Sequence, residues 1–275
     1  ATLRVDSGTR AVRVDGDDYV DLGVADVGAL LAETSWQERA ASTGQDAIRY
    51  RVVDVQLAPV VPSPGKVVCV GLNYRTHILE MRRELPEHPT LFAKFTDALV
   101  GATDDIFLPP ESSAMDWEAE LVVVIGRTVR RADDEQASAA IAGFTVMNDV
   151  TMRDWQFRTR EWLQGKTFEA TTPLGPVLVT PDELPGGTRP SLAMTCTVNG
   201  EVVQQADTGD LVFAPVALVR YVSTIGTLRP GDIIASGTPG GVGHARTPPR
   251  YLKAGDTVVT KIEGIGQLTN VVKLG

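Results

Sequence analysis

Glu118 and Glu120 stand two residues apart at the head of an apolar run, Leu121-Val122-Val123-Val124-Ile125. A β-branched run of this length predicts a strand buried on both faces, and strand side chains repeat every two residues. Both carboxylates therefore point to one face, with Asp116 behind them. Carboxylates gathered at the mouth of a buried strand repel one another and resist losing their water. A divalent cation resolves that conflict, and an all-oxygen ligand set completed by water suits Mg²⁺ or Mn²⁺. Asp149, at the end of the stretch Phe144-Thr145-Val146-Met147-Asn148, can complete the set, although an Asp at a strand end also serves as a turn former or helix cap.

Three further groups of residues carry chemistry. Arg153 and Gln156 share a face if their segment is a helical turn, and Lys166 follows Gly165; such groups beside a metal suit an anionic, oxygen-rich substrate. His77 and Glu80 are one helical turn apart, a spacing at which a carboxylate orients the imidazole and prepares it as a base. The loop Ser236-Gly237-Thr238-Pro239-Gly240-Gly241 lets backbone N–H groups approach a substrate carboxylate, with the Thr238 hydroxyl beside them. It lacks the Gly-Lys-Ser/Thr ending of a phosphate-binding loop and the helix of a dinucleotide site, so a nucleotide is not expected.

The elements that must hold these groups are mostly strands. They are predicted at 67–70, 120–125, 144–148, 192–198, 233–236 and 257–262, with Asn199-Gly200 as a two-residue hairpin turn. Helices are predicted over 134–142, capped by Asp133, and over 215–224. Residues 1–62 look like a small separate α+β unit, a β meander followed by a helix over 27–33 capped by Asp26. The proline-rich stretch 59–65 links it to a larger unit, 63–275.

Composition narrows the partners. With 26 basic against 35 acidic residues the net charge is −9, which argues against nucleic acid or an anionic membrane surface. No apolar run reaches the roughly 18 residues of a membrane span, and no signal-peptide pattern opens the chain; a cytoplasmic protein is expected. Cys69 and Cys196 lie in apolar runs without metal or redox spacing, and three histidines make a His-rich zinc site improbable.

Six motifs in this order resemble the fumarylacetoacetate hydrolase superfamily: Gly71-Leu-Asn73-Tyr74-x-x-His77-x-x-Glu80, Asp116-x-Glu118-x-Glu120-Leu, Asn148-Asp149-Val-Thr-x-Arg153-Asp-x-Gln156, Gly165-Lys166-x-Phe, Pro173-Leu-Gly-Pro176 and Ser236-Gly237-Thr238-Pro. The resemblance covers about residues 64–274. It implies a mainly β, α+β fold: a mixed β-roll behind a smaller N-terminal domain, forming a homodimer around a Mg²⁺ or Mn²⁺ site. On it, Glu118, Glu120 and Asp149 are the metal ligands, and His77 and Glu80 are a catalytic dyad. Lys166 is a catalytic, enolate-stabilising group. Arg153, Gln156, Thr238, Gly237, Asn73 and Tyr74 are substrate contacts, and residues 81–89 form a lid. The implied activity is hydrolysis of a carbon–carbon bond in a 2,4-dioxo acid such as fumarylpyruvate, releasing pyruvate through an enolate. The same enolate serves isomerisation of 2-hydroxyhepta-2,4-diene-1,7-dioate or decarboxylation of oxaloacetate. A non-catalytic module that binds metal and keto acid is the reading from another class.

Overall fold

The computed structural model describes residues 1–42, 47–80 and 82–275, with Glu80 described in its backbone alone. The chain folds as a strand-dominated α+β protein. Its central sheet has seven strands, ordered Thr90–Lys94, Val67–Gly71, Ile233–Ala235, Ala119–Ile125, Ile141–Asn148, Thr172–Val179 and Leu99–Val100. A second sheet of five runs Glu201–Asp207, Ala193–Val198, Thr257–Ile262, Gly266–Leu274 and Ile106–Leu108.

The Ala119–Ile125 strand is fully buried, and period-two alternation assigns its two faces. Leu121, Val123 and Ile125 share one apolar cluster with Phe144, Cys196, Val198 and Leu268, between the two large sheets. Val122 and Val124 belong to a second cluster with Val27, Leu30, Leu31 and Trp36 of the N-terminal segment. Each such side chain contributes roughly 1.5–3 kcal/mol relative to an exposed one. The parity that sends Val122 and Val124 toward the N-terminal helices also carries Glu120, one pleat before them.

The N-terminal residues form a five-stranded sheet, Arg49–Arg51, Asp18–Asp21, Gly8–Asp15, Thr2–Val5 and Gln56–Leu57. Its own cluster is small (Ala1, Leu3, Val12, Tyr19), while its helix Val27–Leu31 packs on the central sheet. Asp26 caps that helix, its carboxylate accepting from the Ala29 amide. The expected linker is buried at Val60 and Val61, inside the cluster shared by the N-terminal helix and the central sheet.

Most expected elements lie within a residue or two of their observed ends. The expected helix 134–142 stops at Ala140, because Ile141 and Ala142 enter the next strand. Asp133 caps it and Gln136 returns a bond to the Asp133 amide. Asn199 and Gly200 take φ of 52° and 82°, the paired positive angles their turn demands. The Thr172–Val179 strand was not expected, since Pro173, Gly175 and Pro176 read as strand breakers. A register shift opposite Phe144–Val146 and a short parallel partner, Leu99–Val100, accommodate them. The Trp36–Ala41 helix and the strands Thr90–Lys94 and Gly266–Leu274 were also not expected.

Candidate active site

Glu118, Glu120 and Asp149 converge: each offers a carboxylate oxygen within 4.8 Å of the other two, and all three are buried. Register does this. Ala119 pairs with Asn148 across antiparallel strands, so residues thirty apart in sequence end side by side. Asn148 locks the junction, its Oδ1 accepting the Glu118 amide at 2.9 Å and its Nδ2 donating to Thr260 Oγ1 at 2.9 Å. The Asp149 amide donates to the Glu118 carbonyl at 2.8 Å.

Three buried cations surround the triad. Lys166 Nζ donates to Glu118 Oε2 at 2.6 Å and Asp149 Oδ2 at 2.7 Å. Lys94 Nζ donates to the other Asp149 oxygen at 2.6 Å. Arg153 Nη2 lies 2.6 Å from Glu118 Oε1, an ion pair off the line of a hydrogen bond. Burial pushes the Asp149 carboxyl up, but Lys166 and Lys94 outweigh it and hold the group at about 2. Burial likewise lowers Lys166, and the Asp149 and Glu118 carboxylates more than restore it, so its pKa ends above the usual lysine value.

Glu120 differs. Among the described residues no cation forms an ion pair with it, although the Lys166 charge acts on it from farther off; its Oε2 accepts the Gly237 amide at 2.8 Å. Burial, then the Asp149 and Glu118 carboxylates, push its pKa well above the ordinary range. A buried carboxylate set with one member bonded to no cation fits a hard divalent cation bound through oxygen.

Asp116 is not positioned as a ligand. Its carboxylate accepts from the Trp117 amide (2.9 Å), the Gly243 amide (2.6 Å), the His244 amide (2.9 Å) and Arg153 Nε (2.8 Å). It thereby orients Arg153, whose Nη1 donates to Gln156 Oε1 at 2.9 Å, the i, i+3 pair expected on the Arg153–Gln156 helix. Gly165 allows the Leu163–Lys166 helix to press on that turn: a Cβ there would lie 2.4 Å from Gln156 N. The Lys166 ammonium also sits 4.9 Å from the centre of the Phe92 ring.

The remaining expected residues fall in two groups. His77, on the Arg75–Glu80 helix, lines a cavity of about 380 Å³ with Tyr74, Thr76, Asp210, Pro239 and Gly240. Tyr74 is buried, its hydroxyl has no hydrogen-bond partner among the described residues, and burial, then Glu120, raise its pKa. The expected bond from Glu80 to His77, and Met81 of the expected lid, lie outside the described residues. Asn73 and Gly237, expected to touch substrate, also make hydrogen bonds within the protein. Asn73 Nδ2 donates to the Phe213 and Ser236 carbonyls while its Oδ1 accepts the Phe213 amide, and the Gly237 amide holds Glu120. These bonds brace the loop against the carboxylate strand and the 211–213 segment. Nearby, the Asp154 carboxylate accepts from Ser112, while Arg158 donates to the Asp154 carbonyl and stacks on Trp155 at 3.5 Å.

Sequence reasoning did not find Lys94 or Gln204. Lys94 closes the apolar strand Thr90–Lys94 and is 3% exposed; a lysine ending an apolar run was the available signal. Gln204, 2% exposed, is one of two adjacent glutamines in a hairpin strand, and nothing local distinguishes it from Gln205.

Residues 66–273 match the model of the fumarylacetoacetate (FAA) hydrolase C-terminal family. The chain is 48% identical over 266 residues to the mitochondrial oxaloacetate tautomerase Fahd2a of Rattus norvegicus, covering 94% of this chain and 84% of that one. Its structure is similar to that of 5-carboxymethyl-2-hydroxymuconate delta-isomerase from Mycobacterium smegmatis, with TM-score 0.80, 32% identity, and coverage of 100% and 98%. It is also similar to fumarylpyruvate hydrolase from Pseudomonas aeruginosa, solved with Mn²⁺ and pyruvate, with TM-score 0.68, 32% identity, and coverage of 76% and 90%.

Proposed function

The chain belongs to the fumarylacetoacetate hydrolase C-terminal family, and from that premise we propose that it is a divalent-metal-dependent enzyme that forms the enolate of a small 2-oxo acid. Keto–enol interconversion of an oxaloacetate-type acid is the leading reaction. The carrying observation is the convergence of Glu118, Glu120 and Asp149 within 4.8 Å. With all four ionised, as metal binding requires of Glu120, the buried acids Asp116, Glu118, Glu120 and Asp149 stand one charge ahead of the buried cations Lys94, Arg153 and Lys166. A divalent ion turns that deficit of one into an excess of one, which favours an anionic ligand.

Mg²⁺ or Mn²⁺ held by the triad would polarise a 2-oxo carbonyl and offset the charge of an enolate. The chain's own groups divide the remaining work. Lys166, fixed by two carboxylates, keeps its protons and presents positive charge where the enolate oxygen gains negative charge. Arg153, clamped by Asp116 and Gln156, supplies a second fixed cation. His77 is the proposed proton carrier. It takes a proton from C3 of the keto acid and returns one to the 2-oxo oxygen of the resulting enolate, giving the enol, so no atom is gained or lost overall.

Hydrolysis of an acylpyruvate is the second reading, supported by the likeness to the fumarylpyruvate hydrolase. There His77 would instead draw a proton from water, whose oxygen attacks the distal carbonyl while pyruvate leaves as its enolate. A homodimer belongs to the same proposal; a monomer in analytical ultracentrifugation removes it. No helix among the described residues is long and apolar enough to cross a membrane, and the rat relative is mitochondrial, so cytoplasmic placement stays an expectation.

One panel separates these outcomes. With Mg²⁺ present, faster loss of the enol absorbance of oxaloacetate at constant total oxaloacetate supports the tautomerase. Pyruvate from fumarylpyruvate or acetylpyruvate supports the hydrolase, and pyruvate with carbon dioxide from oxaloacetate supports a decarboxylase. Binding of oxalate without turnover of any substrate marks a non-catalytic module and removes the proposal.

A further inference from the structure

Gln204 ties the carboxylate strand to the glycine-rich loop, and its orientation is unambiguous. Its Oε1 accepts the Ala119 amide at 2.9 Å, between the two glutamates. Its Nε2 donates to the Pro239 carbonyl at 3.0 Å and to Thr238 Oγ1 at 2.9 Å. A backbone N–H only donates and a carbonyl only accepts. Two backbone groups therefore fix which end of Gln204 faces Thr238.

The consequence falls on the threonine. A hydroxyl has one proton and two lone pairs. Gln204 occupies one lone pair as donor, so Thr238 cannot give its proton to that neighbour. No acceptor for the proton is found among the described residues. The residue before Thr238 holds Glu120, and the two after it line the cavity with His77. Thr238 itself is half-buried between them.

We infer that Gln204 is a positioning residue that sets the Thr238 hydroxyl as a hydrogen-bond donor toward an anionic oxygen of the substrate, a carboxylate or an enolate. The inference rests on the proposed 2-oxo-acid site and deepens it by assigning the polarity of one contact. It also explains a buried glutamine where glutamate would fill the same space. A carboxylate at position 204 still accepts the Ala119 amide, but it leaves the Pro239 carbonyl without its donor and draws the Thr238 proton to itself.

The test is a double-mutant cycle on the full chain with Mg²⁺, reading oxalate affinity by calorimetry and kcat and KM for oxaloacetate or the panel's best substrate. Gln204→Glu and Thr238→Val should each weaken oxalate by roughly ten- to a hundredfold, the range of a hydrogen bond to a charged group. The double variant should be no weaker than either single one. Thr238→Ser, which keeps the hydroxyl, should recover most of the loss, and Mg²⁺ affinity without oxalate should be unchanged in the Thr238 variants. Gln204→Met provides a second probe if Gln204→Glu misfolds; it frees the hydroxyl rotor and should cost less than Thr238→Val. Multiplicative losses in the cycle, or a Thr238→Val protein with unchanged oxalate affinity, overturn the inference while leaving the site intact. A wild-type protein that neither binds oxalate nor turns over any 2-oxo acid overturns the site proposal itself.

Discussion

Gly165→Ala places one methyl group against the backbone that aligns Lys166. The new Cβ would lie 2.4 Å from Gln156 N, 2.5 Å from its Cα and 2.6 Å from its Cβ, where ordinary contact begins at 3.4 Å. Relief therefore requires the Leu163–Lys166 helix to back away from the Arg153–Gln156 helix by about 1 Å, because none of those atoms is the end of a flexible side chain. Overpacking of this kind costs about 1–3 kcal/mol, roughly 2–10 °C in melting temperature for a chain of this size. The functional cost is larger. Lys166 Nζ holds Glu118 and Asp149 at 2.6 and 2.7 Å, and an extra ångström along those bonds ends them. A misplacement of about 1 Å at a reacting centre costs on the order of a hundredfold in rate. Steady-state kinetics on the best substrate should show that fall in kcat, with the protein folded by circular dichroism. Wild-type kcat in Gly165→Ala would refute the claim that this contact sets the lysine.

Four further outcomes follow from the same geometry. Glu120→Gln removes the carboxylate that lacks a cation, so the metal-free protein should melt no lower than wild type; the stabilisation Mg²⁺ gives wild type, about 2.7 kcal/mol at a hundredfold excess over Kd, should vanish in paired melts. Asp116→Asn turns an amide against one of four donors and strips Arg153 of a partner, so urea unfolding should show a loss of about 3–5 kcal/mol. His77→Ala should lower kcat by about 100- to 10,000-fold while leaving calorimetric Mg²⁺ affinity unchanged; equal losses in both would move His77 from proton transfer to structure. Cys69 and Cys196 are buried, with burial pushing the Cys69 thiol well above its usual range and Cys196 up to about 12. Ellman's reagent should therefore label neither in the native protein and both in urea.

Local pattern was enough to reveal the carboxylate strand, since five apolar residues followed by a glycine are readable without neighbours and period two puts Glu118 and Glu120 on one side. Capping chemistry at Asp26 and Asp133, and the Asn199-Gly200 turn, were legible for the same reason: each depends on residues within a few positions. The motifs also carried the family, because six short patterns in fixed order are a property of sequence alone.

Pairing across the sheet decided the rest. Asp149 meets Glu118 because Ala119 stands opposite Asn148, a register that no stretch of either strand announces. Lys94 reaches Asp149 from a strand fifty-five residues away, and Gln204 reaches Thr238 from one thirty-four away. Asn73 meets the Phe213 backbone, and the Gly237 amide meets the Glu120 carboxylate, across still longer stretches of chain. Amino-acid types thus state which charges and hydrogen bonds are on offer. Only the packed sheet determines which are already satisfied, because in a dry interior each buried polar group must find its partner wherever the fold brings one.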